Sequence, residues 1–523
     1  MSSFISALSS STEKSSGLAI RSHVQNGRFR EALSLYISSH KSGDRSDNIV
    51  VTAAIKACAQ LSNMYLGSSL HTQMYKHGYS SDVYVGTSLV GFYSRLDGIQ
   101  IARKVFDEMP VRNVVSWNTI LAAYLKDGFL ESARKVFDEM PIRDVISWNS
   151  MVSGYAKAGD MESAIILFRE MPEKNPASWN SIICGWIDCG KIAFARDLFD
   201  QMHQKSTVSW VTMISGYTRS GDVDSAKSLF DQMDERDLFS WNAMITCYAQ
   251  SGQPREAIEL FNQMRKLYIN GHLYPDKMTF SSIISACSQL GDLRFGLWIE
   301  GFMRDLQIEL DEHLRTAFID FYAKCGSIER ASELFIGSSK RDLVSYSAMI
   351  LGCGMNGKAS DAIHLFDKML DDDIVPNSVT FTGLLAAYRH AGLVEEGIRC
   401  FTSMWRDHKV APSCNHYAIM VDLFGRVGRL DEAYRLIKSM PMQPHVGAWG
   451  ALLLACRLHG NVKLGEIAAH NCFKLDPKAS GYYVLLANIY AEAGEWDKAK
   501  RLREVMTEKG VSTSIGFSWV EFG

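Results

Sequence analysis

The sequence predicts an all-α fold, a right-handed superhelical solenoid of stacked antiparallel helix-turn-helix repeats of 31–36 residues each. Three observations carry that prediction. Trp117, Trp148, Trp179, Trp210 and Trp241 each follow the last by 31 residues, and Tyr124, Tyr155, Trp186, Tyr217 and Tyr248 keep step with them. The set Ala133, Val136, Phe137 and Met140 recurs as Ala164, Leu167, Phe168 and Met171, and again as Ala195, Leu198, Phe199 and Met202. Its spacings of three, four and seven mark one face of a helix. Downstream, Gly291, Gly326, Gly357, Gly392, Gly428, Gly460 and Gly494 recur at 35, 31, 35, 36, 32 and 34 residues, so the period varies but persists.

The elements follow in order. Residues 1–17 are Ser-rich with one acid, Glu13, and lack the apolar run of a secretory signal; they read as a disordered or short organellar targeting segment. Repeat-like sequence starts near Leu18 and runs to residue 445, with one unit beginning at Asn48 and the next 35 residues later at Val83. In the unit VISWNSMVSGYAKAGDMESAIILFREMP, the first helix is expected over Ser147–Lys157, a turn at Gly159-Asp160, and a second helix over Met161–Met171 that Pro172 closes. Neither helix can bury its apolar stripe alone, so the Trp and Phe series are assigned to a continuous core between neighbouring pairs. Extra residues around Tyr268–Leu273 are expected to bulge as a loop. Residues 446–523 form a last segment whose helices, within 481–506, combine an apolar stripe with a charged face and suit a cap or a docking platform.

Composition narrows the function classes. Of 523 residues, 47% are hydrophobic and 22% charged, a globular balance. The formal net charge of -3 gives nucleic-acid binding no support on its own, so any such role needs a locally basic surface. No stretch reaches the roughly 18 apolar residues of a membrane helix, and no membrane partner is expected. The 11 cysteines are scattered without a CxxC pair, which fits a reducing compartment; Cys184 and Cys189 are expected in the core. There is no GxxxxGK[ST] phosphate loop and no GxSxG elbow. A helical solenoid offers a long surface to an extended partner, whether peptide, protein or nucleic acid, and the periodicity does not choose among them.

Units of the form VVSWNTILAAYLKDGFLESARKVFDEMP resemble pentatricopeptide repeats, and their mixed lengths resemble the plant-type PLS subclass. FIDFYAKCGSIERASELF (318–335) and LLAAYRHAGLVEEGIRCF (384–401) are similar to family motifs, and the segment from about Val446 to the final GFSWVEFG resembles the E-type extension of organellar RNA-editing specificity factors. The resemblance covers about residues 18–523 and implies single-stranded organellar RNA as partner, one nucleotide per repeat. It implies C-to-U editing, for which a deaminase needs an HxE…CxxC zinc site. None of the 14 histidines is followed by Glu two positions on, and the resemblance implies a member without the DYW deaminase domain of longer relatives. The expectation is therefore no catalysis and no cofactor in this chain, with a deaminase-bearing relative recruited in trans alongside small accessory editing factors. The mitochondrion is the expected compartment and the chloroplast the alternative. Splicing, transcript stabilisation or translation, and a protein-interaction scaffold, are the competing readings.

The resemblance also implies which side chains read bases: one near the start of each first helix, and the last residue of each unit. Carried onto this sequence, the pairs are Thr52/Asp82, Thr87/Asn113, Asn118/Asp144, Asn149/Asn175, Asn180/Ser206, Val211/Asp237, Asn242/Asp276, Ser281/Asp311, Thr316/Asp342, Ser347/Asn377 and Thr382/Ser413. An Asn amide both donates and accepts, whereas Asp only accepts, so changes of pair favour different base edges. By the family's rule Asn118/Asp144 resembles a reader of U, Asn149/Asn175 of a pyrimidine and Thr316/Asp342 of G, and Ser281/Asp311 has no assigned base. Val211 cannot hydrogen-bond a base. Val115 and Ile146, three positions before the first member of a pair, are expected to pack on bases without reading them. Taken singly, each of these Asn residues reads as a helix cap or a solvated side chain. Beyond Ser413, Ala418 with His445, then Gly450 and Val484, do not resemble base readers.

Overall fold

The computed structural model describes residues 17–511 apart from 42–46, 77, 97, 270, 272, 339 and 510. The expectations for residues 1–16 and for the terminal GFSWVEFG lie outside them. Among the described residues every regular element is a helix, and the chain divides into two units, Met1–Cys247 and Tyr248–Gly523. Each unit is a stack of antiparallel helix pairs. The first unit opens with helices 17–25 and Phe29–Lys41 and continues through Asn48–Gln60 with Met64–Lys76, Val83–Leu96 with Ile99–Glu108, and so on to Thr207–Ser220 with Val223–Gln232. The second runs from Pro254–Ile269 to Ser480–Glu492 with Trp496–Glu508.

Most first helices start where a side-chain cap places them. Asn113, Asp144, Asn175 and Ser206 sit at N-cap positions with a Ser three residues on, and each pair bonds reciprocally. Asn113 Oδ1 accepts from the Ser116 N–H at 2.9 Å, and the Asn113 N–H donates to Ser116 Oγ at 3.0 Å. This satisfies two otherwise orphaned donors. The inner Ser residues, Ser116, Ser147, Ser178, Ser209 and Ser240, are fully buried, which is tolerable only because each is bonded. The helix expected to begin at Ser147 therefore begins two residues earlier, at Val145. Its partner spans Met161–Glu170 with Met171 as C-cap, and the turn before it relies on Gly159 at φ 82°, a left-handed conformation that side chains other than glycine adopt at a cost.

The repeated tryptophan is explained by what it meets. Phe137, at the back of one pair, packs edge-on against Trp148 of the next at 4.9 Å between ring centroids and 81° between planes. Phe106–Trp117, Phe168–Trp179, Phe199–Trp210 and Phe230–Trp241 repeat that geometry at 4.8–5.2 Å. In the second unit Phe335–Tyr346 and Phe401–Tyr417 do the same. Edge-to-face pairs add about 0.5–1.5 kcal/mol to the burial of each ring. A basic residue secures the joint: Arg143 donates to the carbonyls of Phe137 and Asp138 at 2.8 and 2.9 Å, and its guanidinium lies 4.8 Å from the Phe137 centroid. Arg112 and Arg236 act alike on Phe106 and Phe230. The C-terminal carbonyls of these three second helices are thus satisfied by the cation best suited to that end of a helix dipole.

Two expectations are corrected. Tyr268 does not lie in a bulge: Pro254–Ile269 is a 16-residue helix where Val223–Gln232 has 10, so the insertion begins by prolonging the helix. Cys184 and Cys189 are exposed. Cys184 lies one turn beyond Asn180 on the open face of its helix, and Cys189 is the residue that ends it.

Candidate nucleic-acid interface

The two members of each predicted pair occupy fixed places. The first lies in the second turn of a first helix, and the second is the N-cap of the next first helix. The sequence treats that second residue as the end of a unit; structurally it begins the following one. Asp144 shows both duties. Its Oδ1 accepts from the Ser147 N–H at 2.8 Å as a cap and from Asn118 Nδ2 at 3.0 Å across the gap between helix pairs. Ser147 Oγ lies 2.7 Å from both Asn118 Oδ1 and Asp144 Oδ1, locking the two side chains into one arrangement. Burial raises the Asp144 carboxyl pKa, but the bonds from Asn118 and Ser147 outweigh it and hold the group below its ordinary range, so it is ionised at neutral pH.

Other pairs meet less tightly. Asn149 Nδ2 donates to Asn175 Oδ1 at 3.4 Å, and Ser347 Oγ reaches Asn377 Oδ1 at the same distance and Thr380 Oγ1 at 2.8 Å. Asn149 Oδ1 and Asn180 Oδ1 are buried without a hydrogen-bond partner. Ser206 and Asp237 serve as caps for Ser209 and Ser240 opposite Asn180 and Val211. The hydroxyls of Thr52, Thr87 and Thr316 turn back to carbonyls of their own helices, those of Ile49, Val83 and Glu312, while Asp82, Asn113 and Asp342 cap the next ones. Ser281 Oγ lies 3.1 Å from His313 Nε2, and Asp311 caps Leu314. Asn242 and Asp276 belong to different units.

The Thr382/Ser413 pair contains a residue that sequence reasoning missed. His416 stands three residues after the cap, where other helices carry Ser or Thr, and is fully buried. Its Nδ1 accepts from the Ser413 N–H at 2.9 Å, which leaves Nε2–H to donate to the Ser378 carbonyl at 2.8 Å, with Thr382 Oγ1 3.1 Å away. Burial lowers its pKa. The signal available in sequence was its register with Ser345 and Thr380.

Around these pairs lies a row of exposed apolar side chains at the second residue of many first helices. Tyr84, Val115, Ile146, Val208 and Phe239 form it in the first unit; Met278, Val344 and Val379 form it in the second. Val115 and Ile146 are 61% and 63% exposed, a position water alone does not favour. Eight residues beyond Thr87, Asn118 and Asn149 on the same helices stand Arg95, Lys126 and Lys157, all exposed and, among the described residues, in no ion pair. Arg219 continues the series but is paired with Asp188 at 2.6 Å. Val115, Asn118, Asp144 and Ile146 line one open cleft of about 900 Å³ together with Arg95 and Lys126. The cleft before it, about 650 Å³, is lined by Thr52, Tyr84, Thr87, Asn113 and Val115. The chemistry of one cleft is thus two apolar walls, a polar floor with a fixed donor and acceptor pattern, and a cationic rim.

No cluster of metal-ligating side chains occurs among the described residues, and none of their helices is long and apolar enough to cross a membrane. Buried thiols such as Cys287 and Cys456 are pushed up to about 12 by desolvation.

Comparison with known proteins places the chain. The pattern described as PPR repeat matches residues 17–43, 115–145, 146–176, 177–206, 208–238, 278–308, 379–408 and 416–443, that of the PPR repeat family matches 236–289 and 341–390, and an E motif matches 459–521. A pentatricopeptide repeat-containing protein of Arabidopsis thaliana is 55% identical over 505 residues, covering 97% of this chain and 87% of its own length. The chloroplastic pentatricopeptide repeat-containing protein CRR2 of the same plant is 32% identical over 499 residues, covering 95% of this chain and 57% of its own; other relatives are named mitochondrial. The chain spans 64%, 36% and 57% of the length of three of these curated relatives. The fold also matches that of the pentatricopeptide repeat protein PPR10 in complex with an 18-nt psaJ RNA element, with a TM-score of 0.52 at 16% identity over 96% of this chain and 80% of that one. On the strength of its repeats and of a relative aligned along nearly its whole length, the chain belongs to the pentatricopeptide repeat family.

Proposed function

We propose that this protein binds single-stranded RNA in an organelle, one nucleotide per helix pair, and serves as the site-recognition factor for C-to-U editing, with the deaminase supplied in trans. The observation that carries RNA binding is the cleft at Asn118 and Asp144. Val115 and Ile146 are spaced one helix pair apart with their apolar surfaces exposed, as a sandwiched base requires. Between them the Asn118 amide and Asp144 carboxylate present a hydrogen-bonding edge of defined polarity. Arg95, Lys126 and Lys157 supply the cations a phosphate backbone needs, so the overall charge of -3 does not describe this face. The other pairs that lie within one unit, from Thr52/Asp82 to Thr382/Ser413, are base readers in the same sense, except Val211/Asp237, whose valine cannot hydrogen-bond a base.

Editing is favoured over other RNA roles by the E motif at 459–521. Residues 446–523 are then the docking segment for a deaminase-bearing relative and small accessory factors. The relatives' names include mitochondrial and chloroplastic proteins; the mitochondrion is the compartment in this reading, and cell fractionation tests it against the chloroplast. The RNA claim is tested by binding purified protein to RNAs of varied sequence at stated salt, with Asn118, Asn149 and Asn180 each replaced by Ala. Loss of preference at one base per substitution is expected. No binding above the non-specific background for any RNA would leave a protein scaffold. Transcript sequencing in plants lacking the protein then separates editing from splicing, stabilisation or translation.

A further inference from the structure

In the Asn118 cleft the helix residue itself reaches the next cap. Thr52 and Ser281 do not: the Thr52 hydroxyl is returned to Ile49 O at 2.8 Å, and the Ser281 hydroxyl faces His313 at 3.1 Å. In both clefts another side chain makes the crossing. Asn48 Nδ2 donates to Asp82 Oδ2 at 2.7 Å, and Lys277 Nζ lies 3.2 Å from Asp311 Oδ2. Asn48 and Lys277 are both the first residue of their helices, one turn before Thr52 and Ser281 on the same face. Both reach 34 residues ahead, to the cap oxygen that does not hold the helix, since Oδ1 of each Asp takes the backbone N–H groups. At the same position the helices of Asn118 and Asn149 carry Val114 and Val145, which have nothing to offer a carboxylate.

We propose that Asn48 and Lys277 are third base-reading residues, turning the pairs Thr52/Asp82 and Ser281/Asp311 into triads. The inference rests on the base-reading role of the pairs given above. An Asp cap with a free outer oxygen presents only an acceptor to a base. Lys277 occupies that oxygen with one of its three N–H donors and leaves two beside the slot. The Ser281/Asp311 slot thereby changes from accepting to donating and selects a base with acceptors on its pairing edge, cytosine above all. Asn48 makes a milder change, setting a neutral amide, donor and acceptor together, beside Asp82.

The test measures binding of the full chain to four RNAs that differ only at the nucleotide facing one slot, for the wild type and for Asn48→Val, Lys277→Val and Asn118→Ala. Valine is the natural occupant at Val83, Val114 and Val145, so folding is preserved. Lys277→Val is expected to lower cytosine binding at its own slot about fivefold or more relative to the other bases, and Asn48→Val to reorder the bases at its slot alone. Val114→Asn, placed ahead of Asp144, is expected to alter the ranking at the Asn118 slot. A uniform loss for all four bases, with a salt slope lowered by about one for Lys277→Val, would make Lys277 a phosphate contact and overturn the proposal. So would unchanged rankings in Asn48→Val and Lys277→Val while Asn118→Ala alters its own. Should Asn118→Ala also leave every ranking unchanged, the base-reading role itself falls, and the triads with it.

Discussion

Asp144 is both a helix cap and, on the proposed reading, the acceptor that faces a base, and replacing it by Asn separates the two duties. The cap survives, because Asn113, Asn175 and Asn377 hold the same position elsewhere and accept the same backbone N–H through Oδ1 at 2.9–3.0 Å. Asn and Asp are near-equal caps, so Asp144→Asn is expected to change stability by less than about 0.5 kcal/mol, whereas Asp144→Ala loses the cap and costs about 1 kcal/mol, up to ~2. The base edge does change. Uracil offers an N–H donor at its pairing edge and cytosine an acceptor; a carboxylate suits the first and repels the second, while an amide can turn to suit either. One such contact is worth about 1–3 kcal/mol of discrimination, roughly 5- to 150-fold. Asp144→Asn should therefore gain affinity for cytosine over uracil at one position by a factor in that range and leave the others alone. The assay is urea unfolding followed by far-ultraviolet circular dichroism, beside binding to two RNAs differing at that base. If Asp144→Asn destabilises as much as Asp144→Ala, or weakens both RNAs equally, the division of labour drawn from this geometry is wrong.

Three further outcomes are expected. Phe137→Ala removes a fully buried ring together with its edge contact to Trp148 and its contact with Arg143; the cost is about 3–5 kcal/mol, and hydrogen exchange should rise in the flanking helix pairs first, a uniform rise refuting the local core. Lys126→Ala should weaken binding of all RNAs alike and lower the salt slope by about one, with a base-dependent loss counting against a backbone contact. Acid should destabilise the second unit from about pH 6.5 downward. His416 has a lowered pKa in the fold, so the unfolded chain takes up its proton first and this contribution, full above pH ~6.5, fades as pH falls through the folded value. The proton shift of the His416 ring reports it, and titration at or above pH ~6.5 would refute the locked neutral tautomer.

The period was legible because the Phe137–Trp148 contact recurs at five successive joints, so packing writes the same letters at the same spacing. The placement of Asn118, Val115 and Lys126 on one face followed from helical periodicity once the register was known. The caps were less visible. The familiar signature pairs a cap with Glu or Gln three residues on, whereas here Ser116, Ser147 and Ser178 fill that place, and Asp144 reads as the end of a unit when it opens the next helix. Cys184 was misplaced for a related reason: an apolar residue was assigned to the core although the helix keeps an open face one turn beyond Asn180. Least legible were Asn48 and Lys277. Their partners lie 34 residues away, and in the same clefts the Thr52 and Ser281 hydroxyls turn to Ile49 O and His313 rather than to the caps.

The claim that each cleft reads one base is tested most directly by exchanging one reader. Asn118→Thr converts the Asn118/Asp144 pair into the type of Thr316/Asp342, which resembles a reader of guanine. Binding to four RNAs that differ only at the facing nucleotide, at fixed salt, should show the preferred base move from uracil to guanine at that position and nowhere else. An unchanged ranking, or an equal loss for all four RNAs, would contradict base reading by this surface.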